Sequence, residues 1–317
     1  MKRGLLIYTA AALAVLAAVS CKKDDDTTET KPYLYGVTFD LPTFARPGDI
    51  LTLTAYGVYT GDGGDLDDIT YKWRVNSEAF QEMDIFTLIV EEVGNYAITC
   101  QASDPDDNYY STSTTKNIIV IDPALGKTLT GTGISAEDIH VTDLRDQDGE
   151  NDYFIAENDG LEWFRNNLAY TGSGLAYENA DVTSYPLGRY YTWDEAVTAC
   201  PEGWRLPTLE EWEGLGDEAG ALMCDAYLNS KQMWEYWPNV PKDNTLGMAV
   251  IPSGYALAAT TSPSYKRIYD YAAFWTATGK EGNASMAAFR YLYVQDNEVR
   301  TGYGDKASLA LSVRCVR

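Results

Sequence analysis

Between Tyr33 and about Asp122, hydrophobic and polar residues alternate with a period of two, cut by turn residues. Ile69, Tyr71, Trp73 and Val75 fall on one face of a strand, with Thr70, Lys72, Arg74 and Asn76 on the other. Tyr96, Ile98, Cys100 and Ala102 repeat the pattern after the turn Val93-Gly94-Asn95. Leu51–Tyr56, Ile85–Val90 and Asn117–Ile121 supply further strands. Short strands at this spacing predict an all-β sandwich. Leu51–Tyr56 carries no cysteine to face Cys100, which is therefore expected to be a buried, unpaired core residue.

From about Asp138 to Arg317 the pattern changes, and seven of the eight tryptophans lie in this half. Asp159-Gly160 between two apolar runs predicts a hairpin, because both turn positions require positive φ. Asp146, Asp148, Glu150 and Asp152 have the spacing of a calcium loop, but Asn151 stands where such a loop needs glycine, so a plain turn is expected. Thr192-Trp193-Asp194-Glu195 and Thr208-Leu209-Glu210-Glu211 are capping boxes, each predicting the start of a helix. In the first helix Trp193, Ala196, Val197 and Cys200 share a face; in the second Leu209, Trp212 and Leu215 do. The chain closes in strands at Phe274-Trp275-Thr276, Ala287–Val294 and Ser308–Val316, the last with Leu309, Leu311, Val313 and Cys315 on one face. Cys200 and Cys315 both point inward and, in an oxidising compartment, are expected to form a disulfide, with Cys224 left over.

The compartment is set by the first residues. Lys2 and Arg3 precede an apolar run that extends to Val19, the layout of a secretory signal peptide over residues 1–20. Ala18-Val19-Ser20-Cys21 resembles a bacterial lipobox, which implies that Cys21 is acylated and becomes the new N-terminus. Residues 21–32, beginning Lys22-Lys23-Asp24-Asp25-Asp26, are too polar to bury and are expected to be a solvated tether. They also resemble the lysine-then-acidic export signal of Bacteroidetes surface lipoproteins, which implies a lipid-anchored protein on the outer face of the outer membrane.

A net charge of −23 excludes nucleic acid as a partner. With one histidine, His140, there is no multi-histidine metal site and little scope for a serine–histidine relay. The acidic loop Gly61–Asp68 offers Asp62, Asp65 and Asp67 as carboxylate ligands for a structural calcium, although a solvated loop is favoured; no other cofactor is implied. Tyrosine is abundant at 24, against 8 phenylalanines, and its ring with a polar tip suits half-exposed surfaces.

The inward Trp73 and the later glycine-x-tyrosine of residues 94–96 resemble PKD and immunoglobulin-like modules of bacterial surface proteins. Tyr191-Thr192-Trp193-Asp194-Glu195-Ala196, Ala199-Cys200-Pro201-Glu202-Gly203-Trp204-Arg205-Leu206-Pro207-Thr208, Phe274-Trp275-Thr276 and the terminal Ser312-Val313-Arg314-Cys315-Val316 together resemble the Fibrobacter succinogenes major paralogous domain. That family is similar in layout to the C-type lectin-like fold, which implies an α+β domain stapled between a helix and the last strand. No Glu-Pro-Asn or Gln-Pro-Asp triplet is present, so calcium-dependent sugar binding is not implied. The same fold hosts formylglycine-generating enzymes, which need a reactive cysteine pair; here Cys200 and Cys315 read as structural.

The organisation expected is a signal peptide (1–20), a tether (21–32), an all-β immunoglobulin/PKD-like sandwich (33–122), a linker (123–137) and a C-type-lectin-like domain (138–317). The aromatic segment before Phe274 corresponds to the variable binding surface of lectin-like folds. Trp234, Tyr236 and Trp237, three rings in four residues, are its best candidates for exposed ligand contacts, followed by Tyr265 and Tyr269. The expected function is non-catalytic binding of an extracellular glycan or protein. The alternatives are an accessory or tip subunit of a fimbria-like assembly and, with no catalytic constellation to support it, a polysaccharide-active enzyme.

Overall fold

The computed structural model describes residues 31–61, 63, 66, 68–145, 151–258 and 262–317. The signal peptide, Cys21, most of the tether, Asp62, Asp65, Asp67 and the acidic turn 146–150 lie outside the described residues.

Alternation in the N-terminal half becomes two sheets facing one core. Thr38–Phe39, Ile50–Tyr56 and Ile85–Ile89 form an antiparallel three-stranded sheet. Opposite it lie, in spatial order, Phe44–Ala45, Thr112–Val120, Gly94–Ser103, Thr70–Val75 and Gln81–Glu82. The 50–56 strand buries Leu51, Leu53 and Ala55 and exposes the residues between them. Trp73 is buried, stacked on Phe86 at 5.5 Å, with its indole N–H donating to the Met83 carbonyl at 3.0 Å. Cys100, opposite Trp73 in register, is a buried free thiol, as expected. The last strand begins at Thr112, five residues earlier than the apolar pattern suggests. Its threonine-rich start pairs along the 94–103 strand, and the Thr99 and Thr115 hydroxyls meet at 2.8 Å.

The stretch 123–137, expected as a linker, is built into the second half. Leu129–Thr130 pairs with Tyr227–Leu228. The two halves meet where Phe44 and Ile121 pack on Val182, with Phe44 edge-on to Tyr177 at 5.9 Å.

In the C-terminal half, Asn151–Asn158 and Leu161–Phe164 form the expected hairpin, with Asp159 at φ 51° and Gly160 at φ 74°. Helices Trp193–Ala199 and Leu209–Gly214 start at both capping boxes. In the first, Ala199 is buried and Val197 exposed, so the inward face is rotated from the one expected. Tyr271–Lys280, Asn283–Tyr293 and Arg300–Asp305 make the main antiparallel sheet. Phe274 enters one apolar cluster, with Trp163, Trp212 and Trp234, while Trp275 enters another, with Tyr153, Phe164 and Trp204.

The expected strand Ser308–Val316 is mostly not a strand. Leu309–Ala310 pairs with Tyr255–Leu257. Beyond it the chain makes single bridges from Leu311 to Tyr191, Ser312 to Phe274 and Val316 to both Trp163 and Arg205. It threads between the two clusters, so Ser312 and Arg314 are buried along with the apolar residues. Cys315 reaches Cys200 in the expected disulfide, with a Cα–Cα distance of 5.8 Å.

Candidate functional site

Trp234 is not a surface ring. It is fully buried, and its indole N–H donates to the Val250 carbonyl at 3.1 Å. Met233 and Trp234 enter two different apolar clusters, which commits both side chains to the interior and ends the buried run. Three neighbouring rings do not all face inward, and the two that turn out are Tyr236 and Trp237, which are 76% and 38% exposed. Residues 235–239 are all exposed, and Val240 is buried again. The five-residue loop is thus held between two buried side chains. Its base is fixed by the Glu235 N–H donating to the Tyr269 carbonyl at 2.9 Å.

That bond brings Tyr269 to the foot of the loop. Tyr269 has φ 85°, a left-handed conformation that costs a non-glycine residue about 1–3 kcal/mol. The Tyr269 N–H donates to the Pro252 carbonyl at 3.0 Å, and Lys231 Nζ lies 3.6 Å from the ring centroid. Burial raises the Tyr269 phenol above its ordinary pKa. The result is an amphipathic surface: two outward rings, a half-buried phenol and a cation.

Tyr265 takes a different part. Its hydroxyl donates to Asn179 Oδ1 at 2.9 Å, and its ring packs on Tyr177 at 5.4 Å and Tyr190 at 5.9 Å. Tyr177 packs with Tyr265 in one cluster and with Tyr269 in another, so Tyr265 supports the surface from beside it. A second aromatic group lies on the main sheet, and of its rings Tyr271 belongs to the aromatic segment singled out before Phe274 while Tyr293 does not. Arg267 pairs with Asp270 at 2.9 Å, and its guanidinium lies over Tyr271 at 5.1 Å and Tyr293 at 4.6 Å. The signal was present in the alternation of Phe289, Tyr291 and Tyr293, half-exposed on one face of their strand.

The remaining chemistry is quiet. Burial raises the Cys100 and Cys224 thiols to about 12, and Cys200 and Cys315 are joined to each other. His140 is exposed, 3.9 Å from Asp152. Among the described residues no group of three or more His, Cys, Asp or Glu side chains could hold a metal ion.

Residues 150–317, which carry the disulfide, both capping boxes and the 235–239 loop, match the Fibrobacter succinogenes major domain. The chain belongs to this family. The matched span begins at the 151–158 strand and runs to Arg317, so the Fibrobacter succinogenes major domain occupies the mixed α+β half, after a β-rich N-terminal region. No curated protein matches the chain.

Proposed function

We propose that this chain is an exported lipoprotein, anchored to the outer membrane through Cys21 and facing outward, that binds an extracellular glycan or protein without catalysis. The signal peptide, the Ala18-Val19-Ser20-Cys21 sequence and the lysine-then-acidic tether support the location. The N-terminal region is read as an immunoglobulin/PKD-like spacer, supported by two facing sheets around Trp73. The family domain is read as C-type-lectin-like. In support, its last residues return beside its opening hairpin, where the Glu162 and Arg317 backbones exchange hydrogen bonds of 3.0 and 3.1 Å, and a disulfide joins a helix end to the closing segment.

The observation that carries the binding reading is the loop 235–239: Tyr236 and Trp237 stand in solvent on a short segment clamped by buried Trp234 and Val240. Exposed aromatic rings on a fixed support lose little conformational entropy on binding and are typical interface hot spots. Binding of the Tyr33–Arg317 fragment to glycan and host-protein arrays tests the reading. Replacing Tyr236 or Trp237 by alanine is expected to weaken binding about tenfold or more without changing the melting temperature. Array binding indifferent to both substitutions would remove the loop from the site.

One observation favours the fimbria-like alternative. The strand Ile85–Ile89 is at the edge of its sheet, with Ile85 and Ile89 exposed and no charge along its length. Such an edge can accept a strand from another subunit. Co-purification with a filament would decide for that alternative.

A further inference from the structure

We propose that the N-terminal region carries its own glycan-binding platform, separate from the 235–239 loop, on which an extended, uncharged polysaccharide stacks across Tyr59, Tyr35, Tyr33 and Tyr110. These four tyrosines are 57%, 44%, 55% and 46% exposed. Leu34, between two of them, is buried, so Tyr33 and Tyr35 lie on the same face of an extended segment, with Cα atoms roughly 7 Å apart. Tyr35 is paired across the strands with Tyr59, and Tyr33 is bridged to Tyr110 on the other side. Residues opposite one another in a sheet point to the same side, so all four rings share one face. The ring centroids are 5.7 Å apart for Tyr35 and Tyr59 and 4.8 Å apart for Tyr33 and Tyr110. The two ring pairs sit side by side along the segment, their strand positions two residues apart, and a chain of several sugar rings would reach across both.

Two glycines set the attitude of the rings. A Cβ on Gly36 would stand 2.6 Å from the Tyr59 ring, and one on Gly61 would stand 3.2 Å from the Tyr35 ring. An edge of each ring therefore comes against bare backbone, the two rings stack on one another, and about half of each side chain stays open to solvent. Sugar C–H groups, slightly positive, are attracted to an electron-rich ring face, and the phenol hydroxyls at the rim can hydrogen-bond the sugar hydroxyls. A patch this apolar, left open on a region with a complete core of its own, marks an interaction surface.

Charge selects the class of glycan. The acidic turn Asp104–Asp107 leads into Tyr110, and among the described residues the cation over the row, Lys31, is already paired with Asp107. With a net charge of −23 behind it, the surface repels uronate and sulfate chains and leaves neutral pyranoses as the fitting ligand.

Affinity electrophoresis of the chain from Lys22 to Arg317, which keeps Lys31 and Pro32 beside Tyr110, is the test, with laminarin, xyloglucan, galactomannan or xylan in the gel and alginate or chondroitin sulfate as the anionic probes. Retardation is expected with at least one neutral polymer and with neither anionic one. Tyr35→Ala and Tyr59→Ser should each weaken it about tenfold, while Tyr35→Phe, which keeps the ring, should preserve it. Circular dichroism of each variant confirms that the fold is intact, and the two positions serve as independent readouts. No retardation by the neutral polymers, retardation only by anionic ones, or binding lost with Trp237→Ala and not with Tyr35→Ala would each overturn the proposal, and the last would still support the 235–239 loop.

Discussion

Arg314 is enclosed on every side, and no carboxylate is among its partners. Its guanidinium donates to Asn167 Oδ1 and to the carbonyls of Phe164 and Met248 at 2.8–2.9 Å, with a longer bond to Ala249, and lies 5.4 Å from the Phe274 ring. Burial pulls its pKa down, and the ring of oxygens offsets the cost of desolvating the cation. The side chain thereby ties the terminal segment to the opening hairpin and to the segment before Pro252. Glu211 shows the opposite case. The Arg205 guanidinium, in a two-bond fork, and the Thr208 N–H hold its carboxyl at about 2, against the effect of desolvation. A carboxyl depressed by folding stabilises the fold above its unfolded pKa and ceases to do so as pH falls through the folded value. Glu211→Gln is therefore expected to be less stable than wild type at neutral pH. The gap should close as pH falls from about 4.5 to about 2, as read by urea unfolding at several pH values.

At the scale of elements, the disulfide is a covalent tie across the C-terminal domain, closing 115 residues between a helix end and the last segment. Its removal in Cys200→Ser/Cys315→Ser is expected to cost about 5 kcal/mol in the chain-entropy account, measurable by denaturant titration. The elements it joins differ in how far the sequence announces them. Both capping boxes and the Asp159-Gly160 turn are readable because their chemistry is local: the residues that satisfy the backbone lie within three positions of each other. The closing segment is not, because single bridges to four different partners leave no periodicity of their own. Its alternation of Leu309, Leu311, Val313 and Cys315 reads as a two-faced strand, whereas burial on all sides also takes in Ser312 and Arg314. The ligand candidates divide on the same ground. An aromatic cluster announces rings, but which of Trp234, Tyr236 and Trp237 turns inward depends on Val250 and the core near Trp163, far along the chain.

For the whole molecule, coupling between the halves rests on a small apolar contact of Phe44, Ile121 and Val182 and on the Asn229 amide donating to the Val120 carbonyl at 3.2 Å. Inter-domain contacts of this modest kind permit independent unfolding once weakened. Phe44→Ala is expected to separate the two calorimetric unfolding transitions, with the transition of the disulfide-bonded half the less affected. The clamp around residues 235–239 has a further implication for how such a protein diversifies. With Trp234 and Val240 holding the frame, the five positions between them can be exchanged while the scaffold stays as it is, so new recognition could arise through drift in one short cassette.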